Sequence, residues 1–464
     1  MALWKKVLLG IAAVVVLLVG LFVLLVGPWP TYASTDYQNA SYYKSALATI
    51  DRTAAQGQPA TPQGLSAGWA KANITPPVGT PLAGFGDRKG KPSTGVHDEC
   101  FVKALALSDG ADTVVIIGSD MLIIPENLAD AVRAEVTSKT TLKPEHILFN
   151  SSHDHSGPGA WGPGFAGTQI AGKYDEKILT LLKDAFVEAV VSAYDKMEPA
   201  SLGYGSVSVP EYIRNRTREA RVDSTLGYIL VEQDDKDKCV VARYSAHPTN
   251  LGGSNMEFTG EYPGALQRAV EEQTGAFAMY LGGALGSMGP KAPEGTQGFA
   301  KAEAMGRALA GKVLEKLPEV KLEKQVEIGF AGGSIGVPPL QLCVNRKMRL
   351  SPFVFRMIGV DNDAWIHGIR IGNLYLVGTP SDFSGELSMD LHEWARPQGR
   401  ELWMLGFNGD YMGYISPDQY YLEPDDDGGM GYETQFMSWC GPNGGSYFED
   451  LTKHVVETLA TGGA

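Results

Sequence analysis

The stretch that decides the fold is residues 146–159, which read HILFNSSHDHSGPG. The apolar run His146–Asn150 is typical of a buried strand, and it leads to two histidines one residue apart and then to a Gly-Pro-Gly turn. In an extended chain alternate side chains share a face, so His153 and His155 can point at one site. Imidazole is a common metal ligand, and open α/β sheets bind ligands at strand ends. The segment therefore favours a metal site, and the alternative is a pair of surface histidines.

Three further strand-like runs end in turns that carry metal-binding side chains. They are Val240–Ala246 before His247, Leu374–Val377 before Thr379–Asp382, and Leu402–Gly406 before Asn408–Tyr411. Each run alone is compatible with an ordinary strand end that has a polar cap. Taken together, two histidines, a carboxylate and a further oxygen donor would suit Zn²⁺ and leave a position for water.

Helix-like segments alternate with the strand-like runs. Apolar residues recur at three- and four-residue spacing in Glu176–Asp195, Tyr262–Gln273 and Ala300–Leu317. Alternation of this kind predicts an α/β fold. No internal repeat is present, so we expect a single large catalytic domain over residues 67–464, with a mixed β-sheet and flanking helices.

The N-terminus carries an apolar run, Val7–Val26, that predicts one transmembrane helix. About twenty helical residues span roughly 30 Å, the thickness of the hydrocarbon core. Lys5 and Lys6 precede the run and no basic residue follows until Lys44. This bias predicts a cytoplasmic N-terminus (1–6), a signal-anchor (7–26), a stalk or linker (27–66) and an extracytoplasmic catalytic domain, periplasmic or extracellular. The alternative is a cleaved signal peptide, whose apolar region is usually shorter.

Composition limits the partners. The 464 residues include 39 Lys and Arg against 53 Asp and Glu, a net charge of −14, which argues against nucleic-acid binding. Hydrophobic residues make up 44%, which excludes global disorder. No obligate protein partner is predicted. The four cysteines can form two disulfides or remain free thiols.

Several motifs resemble those of one enzyme family. They are Ala67–Pro77, Gly84–Gly86, Gly95–Asp98, Lys103–Leu107, His153–Gly159, Asn215–Thr217, Ala246–His247, Pro380–Phe383 and Tyr411–Tyr414. On these segments the chain resembles the N-terminal catalytic domain of the neutral/alkaline non-lysosomal ceramidases. The resemblance runs from Gly68 to the C-terminus as islands of agreement.

The resemblance implies a zinc site and its ligands. His153 and His247 match the two histidine ligands of the family, and Tyr411 matches its tyrosine ligand. Asp382 lies where the family has glutamate, and Glu386, one helical turn on, is the alternative carboxylate ligand.

The resemblance also implies the residues that act on the substrate. His155 and Arg216 match residues that orient or polarise the amide carbonyl. Gly289 aligns with the catalytic serine of the family, so attack by metal-activated water is expected, with Ser287 as the fallback nucleophile.

These observations predict a membrane-anchored, zinc-dependent amidohydrolase of sphingolipid metabolism. Its expected substrate is an N-acyl lipid, ceramide or a ceramide-like amphiphilic amide. Two alternatives stay open: an esterase or cell-envelope amide hydrolase with the same metal site, and a catalytically inactive lipid-binding relative.

Overall fold

Two β-sheets packed face to face form the centre of the structure, and helices cover the outer face of each. The computed structural model describes residues 3–32, 36–57, 64–218, 221–234, 236–360, 362–425 and 427–462. The predicted α/β class with flanking helices is confirmed.

The described residues form the following helices and strands. The helices are α1 Leu3–Leu25, α2 Ser41–Ala54, α3 Glu126–Lys139, α4 Gly164–Ala171, α5 Glu176–Asp195, α6 Glu261–Thr274, α7 Phe299–Lys316, α8 Pro352–Ile358, α9 Gly385–Ala395, α10 Asp418–Leu422 and α11 Gly444–Thr461. The strands are β1 Trp29–Pro30, β2 Ser66–Asn73, β3 Gly95–Val96, β4 Phe101–Ser108, β5 Thr113–Ser119, β6 Ile147–Leu148, β7 Glu198–Ser208, β8 Ile213–Asn215, β9 Thr225–Gln233, β10 Lys238–Tyr244, β11 Glu257–Phe258, β12 Phe277–Gly282, β13 Met288–Pro290, β14 Ile328–Gly336, β15 Cys343–Asn345, β16 Met348–Arg349, β17 Asp363–Ile371, β18 Leu374–Gly378, β19 Asp382–Phe383, β20 Glu401–Leu405 and β21 Tyr414–Ile415.

The larger sheet has eight strands in the order β12-β10-β9-β7-β2-β4-β5-β6, and the smaller has four in the order β14-β17-β18-β20. Both are mixed, because β5 with β6, β10 with β12 and β18 with β20 run parallel while their other pairs are antiparallel. The strands that lead to the predicted site residues, β6, β10, β18 and β20, all belong to these parallel pairs.

Each sheet is buried on both faces, as β5 illustrates. Val114 and Ile116 lie in the core between the two sheets, which also contains Leu376 and Leu405 of the smaller sheet. Their neighbours Val115 and Ile117 face the opposite way and pack among α3 and α5. Strands covered on both faces are expected to have near-continuous apolar sequences, and β5 has one.

The predicted helices agree closely with the structure. The predicted helix Glu176–Asp195 has the same bounds as α5. Helices α6 and α7 begin and end within one residue of their predicted bounds. The division of the strands into two facing sheets was not predicted.

The buried side chain of Asn150 joins strand ends from both sheets. Its Nδ2 donates to the carbonyl oxygens of Gly282 (2.9 Å) and Gly406 (2.8 Å), and its Oδ1 accepts from the Gly282 amide (2.8 Å). Gly282 ends β12 in the larger sheet, and Gly406 follows β20 in the smaller one. Three hydrogen bonds therefore fix the edge at which β6, β12 and β20 end.

The N-terminal helix α1 is long and apolar enough to cross a membrane, as an anchor or as a signal sequence, and none of its residues is buried. The segment predicted as a linker is partly folded onto the domain. Ala46 and Ile50 of α2 are fully buried in the core that covers the smaller sheet, and Thr53 Oγ1 accepts from the Gly332 amide at 3.0 Å. Residues 37–54 are therefore packed on the domain and do not form a free stalk. Residues 33–35 and 58–63 of the predicted linker lie outside the described residues, as do residues 1–2.

The four cysteines are free thiols. Cys100, Cys239, Cys343 and Cys440 are all buried and unpaired with one another. The disulfide alternative is therefore wrong.

We expect Asn150→Ala to lower the free energy of unfolding by about 3 kcal/mol, because each of three buried hydrogen bonds contributes about 1 kcal/mol. Denaturant unfolding of the full chain measures this change. Asn39→Ala is the control, since that exposed amide donates to Asp36, and we expect a loss below about 0.5 kcal/mol. Equal losses in the two variants would contradict the assigned role of Asn150.

Candidate metal centre

His153 and His247 come from different strands and converge. His153 follows β6 and has a left-handed backbone (φ 65°), and His247 follows β10. A non-glycine residue in this region costs on the order of 1 kcal/mol and persists only when its surroundings impose it. Here the flanking amides of Ser152 and Asp154 donate to the carbonyls of Ser119 and Met121, both at 2.9 Å.

A backbone carbonyl orients each of these two rings. Nδ1 of His153 donates to Leu122 O at 2.8 Å, and Nδ1 of His247 donates to Leu285 O at 2.7 Å. Because a carbonyl can only accept, the proton of each neutral ring lies on Nδ1 and the lone pair on Nε2. This arrangement is typical of metal-binding histidines.

Asp382 faces both lone pairs. Its Oδ1 lies 3.3 Å from Nε2 of His153 and 3.6 Å from Nε2 of His247, and within the described residues no donor reaches Oδ1. Its Oδ2 accepts from the Tyr411 hydroxyl at 2.8 Å. A buried oxygen that faces two nitrogen lone pairs needs a cation or a proton between them, so these residues fit a metal ion.

Burial also determines the charges of the site. Desolvation lowers the pKa of His153 to about 3 and that of His247 well below its usual value. Desolvation raises the pKa of Asp382 to about 7, and the hydrogen bond from Tyr411 opposes this shift. The imidazoles are therefore neutral at pH 7, which is the form that binds metal.

His155 lies in the same cluster but is held differently. The ligand atoms of His153, His155 and His247 all lie within 4.8 Å of one another. The ring of His155 packs on Phe85 at 4.7 Å between centroids, and neither ring nitrogen has a hydrogen-bond partner among the described residues. Desolvation lowers the pKa of His155 well below its usual value. His155 is thus a neutral imidazole, and no hydrogen bond from the described residues orients its ring.

Arg216 borders the cluster. Its Nη2 donates to Nε2 of His247 (3.3 Å), to the Tyr414 hydroxyl (3.1 Å) and to Gly286 O (3.0 Å). Its Nη1 lies 3.4 Å from a carboxylate oxygen of Glu433. Tyr414 belongs to the motif Tyr411–Tyr414, which assigns it no role, and no sequence motif includes Glu433.

Glu386 and Ser287 point to each other instead of to the histidines. The Glu386 carboxylate accepts from Ser287 Oγ and Ser384 Oγ, both at 2.5 Å, and from Asn215 Nδ2 at 2.7 Å. Ser287 Oγ also accepts from the Gly385 amide at 3.0 Å. The structure thus brings Asp382 to the two imidazoles and leaves Glu386 saturated by donors of its own.

Comparison with known proteins agrees with the predicted resemblance. Residues 65–282 match the family model described as neutral/alkaline non-lysosomal ceramidase, N-terminal, which confirms the resemblance over that region. No curated protein sequence matches the chain.

Two solved structures share the fold. A ceramidase complexed with C2 has a TM-score of 0.75 and 15% identity, and neutral ceramidase from Pseudomonas aeruginosa has a TM-score of 0.70 and 16% identity. Each comparison covers 86% of this chain and 75% of the other. The fold of this chain is therefore that of the ceramidases.

We expect His153→Ala and His247→Ala to lose bound metal, because each removes an oriented Nε2 that faces Asp382. Elemental analysis of the purified full chain measures the metal. His146→Ala is the matched control, since His146 is also buried, its ring packs on Phe330, and neither ring nitrogen has a hydrogen-bond partner in the part of the chain that the structure describes. An unchanged metal content in His153→Ala, or an equal loss in His146→Ala, would contradict the site.

Proposed function

We propose that the protein is a membrane-anchored, zinc-dependent amidohydrolase that cleaves the amide bond of an N-acyl lipid, ceramide or a ceramide-like amide. The observation that carries the proposal is the convergence of Nε2 of His153, Nε2 of His247 and Oδ1 of Asp382, which has no hydrogen-bond donor among the described residues. The family match over residues 65–282 supports the amide as the bond that is cleaved. The apolar helix α1 supports a membrane lipid as the substrate.

The proposed ligands are His153, His247 and Asp382, with the Tyr411 hydroxyl beside them. Two imidazoles, a carboxylate and an open position suit Zn²⁺. When bound, Zn²⁺ supplies a Lewis acid that lowers the pKa of water and polarises the substrate carbonyl. The backbone carbonyls of Leu122 and Leu285 keep both rings in the tautomer that this chemistry needs.

Arg216 and His155 act on the two ends of the scissile amide. The Arg216 guanidinium, adjacent to His247, stabilises negative charge that develops on the carbonyl oxygen. His155 is neutral because burial lowers its pKa, and neither ring nitrogen has a partner among the described residues, so one nitrogen lone pair is free to accept a proton from water for delivery to the leaving nitrogen. The water oxygen bonds to the carbonyl carbon, the C–N bond breaks, and the products are a carboxylic acid and an amine.

Water is the proposed nucleophile because the two candidate positions beside Arg216, Gly289 and Ser287, do not offer a free hydroxyl among the described residues. Gly289, which aligns with the family serine, has no side chain, although a Cβ there would lie 3.5 Å from Cδ of Arg216 and would fit. The hydroxyl of Ser287 is bound to Glu386 and to the Gly385 amide. Both observations favour direct hydrolysis over an acyl-enzyme.

We expect His155→Ala to lower kcat about 10²- to 10⁴-fold while zinc content stays at the wild-type level, because the residue transfers protons and does not hold the metal. The assay compares N-acylsphingosines with simple N-acyl amines and esters, and His146→Ala again serves as the control. Loss of zinc together with activity would identify His155 as a ligand instead. Faster cleavage of esters than of amides would contradict the proposed substrate.

We expect Ser287→Ala to retain turnover within about tenfold, as water attack requires no serine. Ser384→Ala is the matched control, because it removes an equivalent hydroxyl from the same Glu386 carboxylate. Rapid-quench mass spectrometry should detect no acyl adduct on the wild-type chain. Complete inactivity of Ser287→Ala beside an active Ser384→Ala would contradict the water mechanism.

A further inference from the structure

The end of α1 is fixed directly to the domain. The carbonyl of Leu25, in the last turn of α1, accepts from the Ser351 hydroxyl, and the carbonyl of Val26 accepts from the Ser351 amide at 3.0 Å. A helix end leaves its last carbonyls without partners inside the helix, and Ser351 supplies partners here. Ser351 also begins α8, which contacts α1.

A short antiparallel ribbon reinforces this junction. Trp29 and Pro30 of β1 pair with Arg349 and Met348 of β16, and Arg349 Nε donates to Pro30 O at 2.9 Å. The Arg349 guanidinium also lies 4.0 Å from the ring centroid of Tyr32. Because the chain joins the domain within a few residues of the apolar helix, a bilayer around α1 lies close to α8.

The outward face of α8 is apolar. Phe353 and Met357, four residues apart on one side of the helix, are 51% and 68% exposed. Phe355 points to the opposite side, is 4% exposed and packs on Trp439 at 5.8 Å between ring centroids. The helix is thus anchored by one face and leaves large apolar side chains on the other.

The segment around α8 is positively charged, whereas the protein as a whole is negatively charged. Residues 328–360 contain no Asp or Glu and carry Arg346, Lys347, Arg349 and Arg356, in a chain of net charge −14. Arg346, Lys347 and Arg356 are exposed. Apolar side chains flanked by basic ones are typical of surfaces that bind anionic lipid headgroups.

We propose that α8 is an interfacial helix that lies in the headgroup region of the same bilayer that α1 spans, with Phe353 and Met357 inserted and Lys347 and Arg356 on anionic phospholipids. The inference rests on the proposed membrane anchor and deepens it, because it makes the domain a second membrane contact. The other occupant of an apolar face, a second copy of this chain, explains neither the basic residues nor the adjacent apolar span.

The location of α8 connects this surface with the metal centre. Trp439, on which Phe355 packs, lies 5.9 Å from Tyr411 between ring centroids, and Tyr411 donates to Asp382. Three aromatic side chains, Phe355, Trp439 and Tyr411, therefore lie between the proposed lipid contact and the proposed metal ligand Asp382. A substrate that resides in the bilayer would start close to the site that cleaves it.

The test uses the full chain in vesicles of phosphatidylcholine and phosphatidylglycerol, some of which carry a doxyl quencher on their lipid chains. Phe353→Cys and Met357→Cys accept an environment-sensitive fluorophore, because the four native cysteines are buried. The control is Leu322→Cys, because Leu322 is also exposed. Its neighbour Glu323 pairs with Leu202 of β7, in the larger sheet and away from α8. We expect lipid quenching to lower the emission of the labels at 353 and 357 by roughly half and to leave the label at 322 unchanged.

The outcomes separate this inference from the proposed function. Vesicle flotation without preferential quenching at 353 and 357 would overturn the interfacial helix and leave the anchor intact. Failure to float with vesicles would contradict the anchor and this inference together. Crosslinking of 353 labels between two chains, without lipid quenching, would assign the face to a second copy. Weaker quenching in the Lys347→Glu, Arg356→Glu variant would support the basic contacts, and hydrolytic activity enters none of these readouts.

Discussion

The side chain of Asn150 is the contact on which the rest of the site depends. One amide, fully buried, satisfies backbone groups at the ends of β12 and β20 while its own backbone follows β6. An apolar residue of similar size would remove the partner that Asn150 gives to the Gly282 amide and the Gly406 carbonyl, which is costly in a dry interior, whereas the Gly282 carbonyl would keep the Gly406 amide at 3.3 Å. The two sheets therefore meet in one register at this edge. Because His153 lies three residues after Asn150, its position depends on that register.

The candidate metal centre combines a strained backbone with buried polar atoms that have no partner among the described residues. His153 has a left-handed backbone, and the buried Oδ1 of Asp382 has no donor within the described part of the chain. Burial makes each charged form costly, since it lowers the pKa of His153 and raises that of Asp382. A bound cation would stabilise the charged Asp382 carboxylate and would bind the neutral form of His153 that burial already favours. Strain and unpaired polar atoms that coincide in this way are typical of functional sites.

The sequence predicted the elements of this fold better than their arrangement. The spacing of apolar residues placed α5 correctly, and it located β10 and β18 because strands buried on both faces have apolar runs. Which strands share a sheet depends on contacts distant in sequence, so the two-sheet division was not readable. The integration of α2 was missed because its buried face uses small residues, such as Ala46 and Thr53, that resemble a linker. The sequence also could not decide whether Asp382 or Glu386 faces the histidines. That choice depends on the three donors that bind the Glu386 carboxylate, which come from distant parts of the chain and from Ser384.

The four free thiols bear on how the protein is made. Burial raises the pKa of the Cys100 and Cys239 thiols, and it raises that of Cys440 to about 12, so none of these groups is a thiolate at neutral pH. The thiolate is the form that reacts with oxidants and with other disulfides. A chain whose cysteines are shielded in this way needs no disulfide-forming catalyst in order to mature. Its folded state therefore tolerates reducing and oxidising compartments alike, which removes one requirement for export to the far side of a membrane.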